Sequence, residues 1–568
     1  MRYKKLAELY KEASSTTKRL EKIKILSKFL MHLPEKDKDV MYLLMGDIYP
    51  EYDERRIGIS NQLAIKAISK STGTEPTQVT KEWKKIGDLG EVAQKLTQDK
   101  KQTTLHSHII STEKVLENLR KLPKLEGKGT VGKKLSLITE LLTSAEPIEA
   151  LYLVRTLIGD LRIGIQESTI RESLAKAFFS DPKKAAPQIK KAIDKSNDLG
   201  IVFEISKKGK IKELEKIHLE VGKPIKAMLA QKVLTIKEGF KTLGTPCAIE
   251  YKYDGFRMII HKQGEEITLF TRSLENVTKQ FPEVVEYLKK YVKGKSYILD
   301  SEAVGFHKTT KEYTPFQSIS QRIRRKYHIE KLQKELPLEI NVFDILYYNG
   351  KSLLNEPFEK RTKIVQKIVK NHPYKIIYAK QIITSDEKKA TEFYEKALKN
   401  NQEGIMMKNL KAEYSPGRRV GHMLKIKPEE KDLDLVITGA EYGSGKRSGW
   451  MSSFILSCGG KNKGEYLEVG KVGTGISEKD KEITFDSLTK TLTPLIIKEK
   501  GKTVQIKPKI IVAVTYQEIQ KSPNYNSGWA LRFPRFTALR TDKPLSEIAD
   551  LKEIEKDFLT QKRNYRYG

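Results

Sequence analysis

Glu250-Tyr251-Lys252-Tyr253-Asp254-Gly255-Phe256-Arg257 lies near the middle of the 568-residue chain, and the rest is best read outward from it. Ala248 and Ile249 lead in and the alternating run Phe256, Met258, Ile260 follows. This pattern predicts two strands joined by a tight turn, with Gly255 supplying the bend and Lys252 held beside it. A protonated lysine attacks nothing. Neighbouring cations and partial burial lower its pKa from about 10.4 and release an amine nucleophile. Glu250, Asp254 and Arg257 stand close by in sequence. Such a set suits an amine attacking a phosphorus centre while metal and guanidinium groups carry the negative charge.

Length and composition bound what surrounds this stretch. A chain of 568 residues is too long for one core and implies several domains. With 25 tyrosines, 18 phenylalanines and 3 tryptophans there are enough large side chains for real cores, so disorder is not expected. The formal net charge of +33 points to a polyanionic partner, nucleic acid first. Two cysteines, Cys247 and Cys458, build neither a zinc site nor a disulfide framework, and a reducing cytoplasmic location is expected. No apolar window approaches membrane-spanning length, and the N-terminus lacks a signal-peptide core, so no membrane is expected.

Residues 1–215 read as helical, with apolar spacings of three and four such as Leu20, Ile23, Ile25, Leu26, Phe29, Leu30. Within them, Gly159-Asp160-Leu161-Arg162-Ile163-Gly164 predicts a helix end and a turn that offers a guanidinium and backbone N–H groups to phosphate. Residues 216–428 change to short alternating strands mixed with helices, an α+β domain with antiparallel sheets. Pro428 breaks the chain, and Glu429-Glu430-Lys431-Asp432 reads as a charged hinge. Residues 429–568 hold short strands with frequent glycine, the spacing of a small OB-type barrel.

The ordered motifs Glu250–Arg257, Thr271-Arg272-Ser273, Leu299-Asp300-Ser301-Glu302-Ala303, Val342-Phe343-Asp344-Ile345-Leu346, Gln402-Glu403-Gly404-Ile405-Met406-Met407-Lys408, Met423-Leu424-Lys425-Ile426-Lys427-Pro428 and Ser527–Phe536 together resemble the covalent nucleotidyltransferases. The closest likeness is to ATP-dependent DNA ligases of the archaeal and eukaryotic replicative type. The resemblance covers nearly the whole chain and implies nick sealing in duplex DNA through a lysyl-AMP intermediate, in replication, repair and recombination. It implies Lys252 as the nucleophile and Glu250 as acceptor for the adenine amino group. It further implies nucleotide contacts from Arg257, Arg272, Phe343, Arg419, Lys425 and Lys427, with Phe343 stacked on adenine. Arg532 and Arg535, in a C-terminal segment that closes over the site, are implied phosphate contacts. Glu302 and Glu403 are the implied magnesium acids; Ser301 stands where many family members have glycine. ATP and Mg²⁺ are the implied cofactors, nicked double-stranded DNA the partner, and a monomer the expected state. Gln102, in Lys100-Lys101-Gln102-Thr103-Thr104-Leu105, is similar to the glutamine by which archaeal ligases dock on the sliding clamp, without the usual aromatic pair.

RNA ligases and capping guanylyltransferases share the lysine motif, but the long helical region and the Arg532-Phe533-Pro534-Arg535 segment argue against both. NAD-dependent DNA ligases need four cysteines for zinc. A non-catalytic basic scaffold is the alternative from another class, and it would have no use for Lys252.

Overall fold

The computed structural model describes all residues other than 100–108, 128, 324, 326, 418–419, 429–430, 463, 479–482 and 564–568. Gln102, Arg419 and the Glu429-Glu430 part of the expected hinge lie outside the described residues. Two compact units result, one of residues 1–72 and 97–427, the other of 73–96 and 428–567.

In the first unit the N-terminal part is helical, as expected. Helix Pro147–Leu157 shows why its sequence starts and stops where it does. Pro147 takes the first helical position, and Glu146 and Glu149 form a reciprocal capping box. Beyond its end Gly159, Arg162 and Gly164 all adopt left-handed backbone, which makes the tight turn that the sequence predicts. Arg162 Nε donates to Asp160 at 2.6 Å, and helix Glu167–Phe178 follows.

The central region carries its strands in chain order as β1 (Gln231–Lys232), β2 (Cys247–Lys252), β3 (Phe256–Gln263), β4 (Glu266–Thr271), β5 (Ser296–Gly305), β6 (Leu338–Tyr348), β7 (Lys351–Ser352), β8 (Ile376–Tyr378), β9 (Gln381–Thr384), β10 (Gly404–Lys408) and β11 (Met423–Ile426). One sheet has the order β1-β11-β10-β2-β9; the other has β4-β3-β5-β6-β7, with β8 beside β6. Most pairings are antiparallel, as the sequence predicts; β1 with β11 and β6 with β8 are parallel.

Only residues 253–255 separate β2 from β3, with bends at Asp254 and Gly255, so Lys252 stands beside a tight strand-to-strand turn as expected, although the two strands join different sheets and form no hairpin. Gly255 lies in that bend, without left-handed backbone. It is needed because a Cβ there would lie 2.3 Å from the Ala303 carbonyl oxygen and 3.0 Å from Glu302 Cγ. Periodicity reports that two strands follow one another; it is blind to which sheet each joins.

Alternation gives the first sheet two chemically distinct faces. Ile249, Tyr251, Ile405, Met407, Leu424 and Ile426 pack into an apolar core. Glu250, Lys252, Met406, Lys408 and Lys425, on the opposite parity, face the other way. Core packing thereby commits the polar set to the cleft side.

The segment entering this region is tied to the helices. Lys226 Nζ lies 2.6 Å from Glu51 and 3.1 Å from Glu167, and Asn197 Nδ2 donates to the Pro224 carbonyl at 3.0 Å. Burial opposes the Lys226 charge, yet the two carboxylates outweigh it and raise its pKa. Nearby, His261 on β3 is buried, and its Nδ1 accepts from Gly222 N–H at 2.9 Å. Burial lowers its pKa to about 3 from 6.5. The unfolded chain therefore takes up this proton first as the pH falls, and stability is lost from about pH 6.5 downward. Between pH 7 and 5 this histidine alone costs about 2 kcal/mol. His261→Gln is expected to flatten that part of the pH dependence, measured as the difference in melting temperature between pH 7 and 5.

The C-terminal unit is a β region with helices Phe485–Leu492 and Leu551–Arg563. Its long strand Lys431–Tyr442 pairs with Met451–Gly459, with Thr503–Ile506 and with Ile511–Tyr516, and shifts register between Ile437 and Gly439. Pairing begins at Lys431 opposite Tyr516, so Lys431 and Asp432 are strand and not hinge. The cross-strand ladder accounts for them where their charge suggested a linker. Helix Pro76–Ile86 belongs to this unit, with Lys502 Nζ 4.8 Å above the Trp83 ring. Among the described residues, no helix is long and apolar enough to cross a membrane.

Candidate active site

The register of three strands builds the site. Gly404 on β10 pairs with Lys252 on β2, and Glu403 N–H donates to the Lys252 carbonyl at 2.9 Å. Gly404 has φ +143°, and a Cβ on it would lie 2.1 Å from the Ile426 carbonyl oxygen, so only glycine lets β11 close in. That closeness brings Lys427, just past β11, to the same carboxylate as Lys252. Lys252 Nζ lies 2.5 Å from Glu403 Oε2, with side chains 20% and 19% exposed, and Lys427 pairs with the same oxygen. Burial pushes the Glu403 carboxyl up, but the two lysines outweigh it and hold it below the ordinary range.

Glu302 on β5 pairs with Arg257 on β3. Burial pushes its carboxyl up to about 8; Lys252 and Arg257 oppose this, while Glu403 and Asp300 add to it. Ser301 beside it is fully buried, and its hydroxyl donates to the Met258 carbonyl at 2.7 Å. The serine found where the family often has glycine is thus satisfied across the β3–β5 ladder.

Arg257 is occupied by protein groups. Its guanidinium makes a bidentate pair with Asp300, through Nε at 2.7 Å and through Nη2, and Nη1 donates to the Met228 carbonyl at 2.8 Å. Tyr414 joins the knot, its hydroxyl donating to Asp300 Oδ2 at 2.8 Å. Although burial opposes the charge, Asp300 raises the Arg257 pKa further. Arg257 therefore braces the cleft floor. Arg272 sits just past β4 and is exposed.

Phe343 on β6 is half-buried, with the Arg257 guanidinium carbon 5.3 Å and Lys408 Nζ 4.6 Å from its ring centroid. A small cavity opens beside it, lined by Met228, Phe343, Phe358, Lys408, Tyr414 and Met423. Glu250 is 2% exposed; its Oε1 accepts from Gln381 Nε2 at 2.7 Å, and its Oε2 lies 2.5 Å from Lys408 Nζ. Lys425 stands opposite Met406 in the β10–β11 register, and Met406 stands opposite Glu250.

In the C-terminal unit the two candidate arginines differ. Arg532 Nη1 donates to Glu518 at 2.7 Å, while Arg535 is exposed, paired by backbone with Thr515.

Comparison with known proteins adds what geometry leaves open. Residues 2–175 match the DNA ligase N terminus, 227–427 the ATP dependent DNA ligase domain, and 447–543 the ATP dependent DNA ligase C terminal region. A DNA ligase of Nanoarchaeum equitans is 42% identical over 565 residues, 99% of this chain and 99% of its own. A DNA ligase of Thermococcus onnurineus is 39% identical over 569 residues, 99% of this chain and 100% of its own. The chain belongs to the ATP-dependent DNA ligase family. A solved structure titled Pmar-Lig_PreS3 shares the fold, with a TM-score of 0.59 at 18% identity, covering 94% of this chain and 99% of that one.

The ligase's donor set suits a hard divalent cation. Among the described residues there is no cluster of three or more His, Cys, Asp or Glu that could cage one. Magnesium is commonly held by one or two carboxylates, with substrate phosphates and waters completing the shell. Glu302, whose carboxyl burial strips of solvent, and Glu403 close by fit that description. Sequence reasoning passed over Asp300, Tyr414, Gln381 and Lys408, which hold the named residues in place. Asp300 and Lys408 stood inside quoted motifs, and an acid or lysine on the cleft-facing parity of a strand was the signal available.

Proposed function

We propose that Lys252 is the residue this ligase loads with AMP. The observation that carries this reading is the position of Lys252 at the end of β2, facing the cleft and held against Glu403 together with Lys427. In the reaction its Nζ loses a proton and forms a bond to the α-phosphorus of ATP, while the bond from that phosphorus to the pyrophosphate oxygen breaks. AMP then passes to the 5′-phosphate at a nick, and the 3′-hydroxyl displaces it. Each transfer is in line, so positioning and charge neutralisation supply most of the rate. Glu302 and Glu403 hold magnesium, which when bound neutralises charge developing on the phosphates. Lys425 and Lys427 face the α-phosphate, Phe343 stacks on adenine and Glu250 accepts from its amino group. Arg257 and Arg272 serve the phosphate and ribose side, Arg257 through its brace, and Arg419 adds a nucleotide contact.

The proposal extends to an OB-type barrel within 429–568, with a helical DNA-binding domain over 1–215 and an adenylation domain over 216–428. The long strand that bends to serve several neighbours supports the barrel. Arg535, being exposed, is the better placed phosphate contact of the C-terminal pair, with Arg532 held by Glu518. A cytoplasmic monomer that docks on a sliding clamp through Gln102 completes the reading.

The test uses ATP labelled at the α-phosphate, magnesium and nicked duplex. Label is expected first on the chain, then on the 5′ end at the nick, and sealed product follows. A folded, unadenylated protein that takes no label overturns the reading. Label on the chain with sealing of nicked RNA and not of nicked DNA overturns its substrate.

A further inference from the structure

We propose a second ligand site on this chain, a cavity beyond the end of β5 that takes a small hydroxylated phosphate of the sugar-phosphate class. The cavity measures about 530 Å³, room for a ligand of that size. It opens where Phe306 follows β5 and Leu338 starts β6, and neither Lys252 nor its partners Glu403 and Lys427 line it. Helix Pro282–Tyr291 presents Glu283 and Tyr287 to it, and helix Ile329–Glu335 presents Glu330 and Lys334, each pair one turn apart on one helix face. Lys308 and Lys311, in the turn after β5, complete the rim.

Charge balance selects the ligand. Glu283 is 3% exposed, and its Oε1 lies 2.7 Å from Nη2 of Arg322, itself 1% exposed. Among the described residues, Glu283 Oε2 has no hydrogen-bond partner. A buried carboxylate oxygen left bare costs free energy that a donor on a ligand recovers. That donor has to be neutral. Arg322 already balances the Glu283 charge, and its guanidinium is fixed by donating to the carbonyls of Leu336 at 2.9 Å and Gln280 at 3.0 Å. An ammonium brought to Glu283 would leave a buried net positive charge, whereas a hydroxyl meets the oxygen and adds none. Tyr287, whose hydroxyl burial pushes up to about 12, stays neutral beside it. At the rim the balance is the opposite. Lys308, Lys311 and Lys334 stand against Glu330, and Lys311 Nζ is held 5.3 Å from the Phe306 ring centroid and 5.2 Å from that of Tyr374. Three ammonium groups and one carboxylate call for an anion, and a phosphate accepts from several lysines at once. A ligand with hydroxyls at one end and a phosphate at the other satisfies both ends of the cavity.

The test titrates the full chain with ribose 5-phosphate and with inorganic phosphate by calorimetry. Wild type is compared with Lys308→Met plus Lys334→Met, with Glu283→Leu plus Arg322→Met, and with Lys427→Met. Wild type is expected to bind ribose 5-phosphate at one site with a Kd of about 1 mM or tighter, and inorganic phosphate at least about tenfold more weakly. Removing the two exposed lysines is expected to weaken ribose 5-phosphate by about tenfold or more. Replacing both members of the buried pair by apolar groups strands no charge, so the fold is expected to hold while the advantage over inorganic phosphate vanishes. If that variant does not fold, the lysine variant and the two wild-type titrations still decide. Lys427→Met, in the cleft of Lys252, is expected to change nothing. Binding that Lys427→Met removes and the lysine variant keeps belongs to that cleft and overturns the proposal. Equal affinity for the two ligands, the mark of a bare lysine patch, overturns it too, as does no saturation by about 10 mM. A 5′-phosphorylated hexanucleotide at equal concentration is expected to leave the sugar phosphate bound; displacement would make the occupant a nucleic-acid end and overturn a free ligand.

Discussion

Lys252→Ala is expected to carry no AMP label after incubation with α-labelled ATP and magnesium, a fall of at least about four orders of magnitude from wild type. No neighbouring amine substitutes for it. Lys427 shares the Glu403 carboxylate but sits beyond β11, and Lys425 stands opposite Met406, two residues along β10 from the Gly404 partner of Lys252. In-line attack needs the nucleophile within a few tenths of an ångström of its place, so a lysine on β11, two strands away from β2, is no replacement. The variant is still expected to seal a nick whose 5′-phosphate already carries AMP, because that step uses no lysine nucleophile. Losing this step together with the labelling would mean that Lys252 holds the fold or the metal and is not the attacking group.

Glu403→Gln and Glu302→Gln are each expected to lower labelling by about three orders of magnitude, the size of a few kcal/mol of charge stabilisation removed from the transition state. Both are expected to need more magnesium for half-maximal labelling. Stability separates them. Glu403 neutralises two lysines, so its amide leaves two ammonium groups facing each other and lowers the melting temperature. Glu302 behaves in the opposite way. Its carboxyl sits at about 8 in the fold against 4.5 unfolded, so the unfolded chain sheds the proton first. Metal-free stability then falls as pH rises from about 4.5 to about 8 and is level above that. Glu302→Gln is free of this loss. It should be more stable than wild type at pH 8.5 by about 2 kcal/mol, less than for a wholly buried carboxyl because part of its surface is exposed. Melts at pH 6 and 8.5 without metal measure it; equal pH slopes for variant and wild type would show that Glu302 is ionised in the fold and not held neutral.

Much of the fold was open to reading along the chain. The helical character of the N-terminal part, the strand-rich centre and the glycine-punctuated β region after Pro428 follow from apolar spacing and turn residues, which are local. The short run Lys431-Asp432 misled because charge alone does not separate a linker from the start of an edge-accessible strand. Its pairing with Tyr516 and Thr515 lies far away in sequence. Gly255 was legible as a bend between two strands, but chain order could not show that it also makes room for Ala303 and Glu302.

The motif residues, their order and the phosphoryl chemistry they support were legible because a lysine, acids and paired lysines on alternating strands carry their chemistry wherever they fold. What the chain order left open is who faces whom. Lys252 and Lys427 share Glu403, Arg257 is spent on Asp300 and Tyr414, and Lys408 rather than a distant surface charge holds Glu250. These pairings join positions far apart in sequence, and they exist because β2, β10 and β11 lie in one sheet while β3, β5 and β6 lie in the other. Sheet membership and register arise from burying the apolar faces together, a property of the whole packed core that no local window contains.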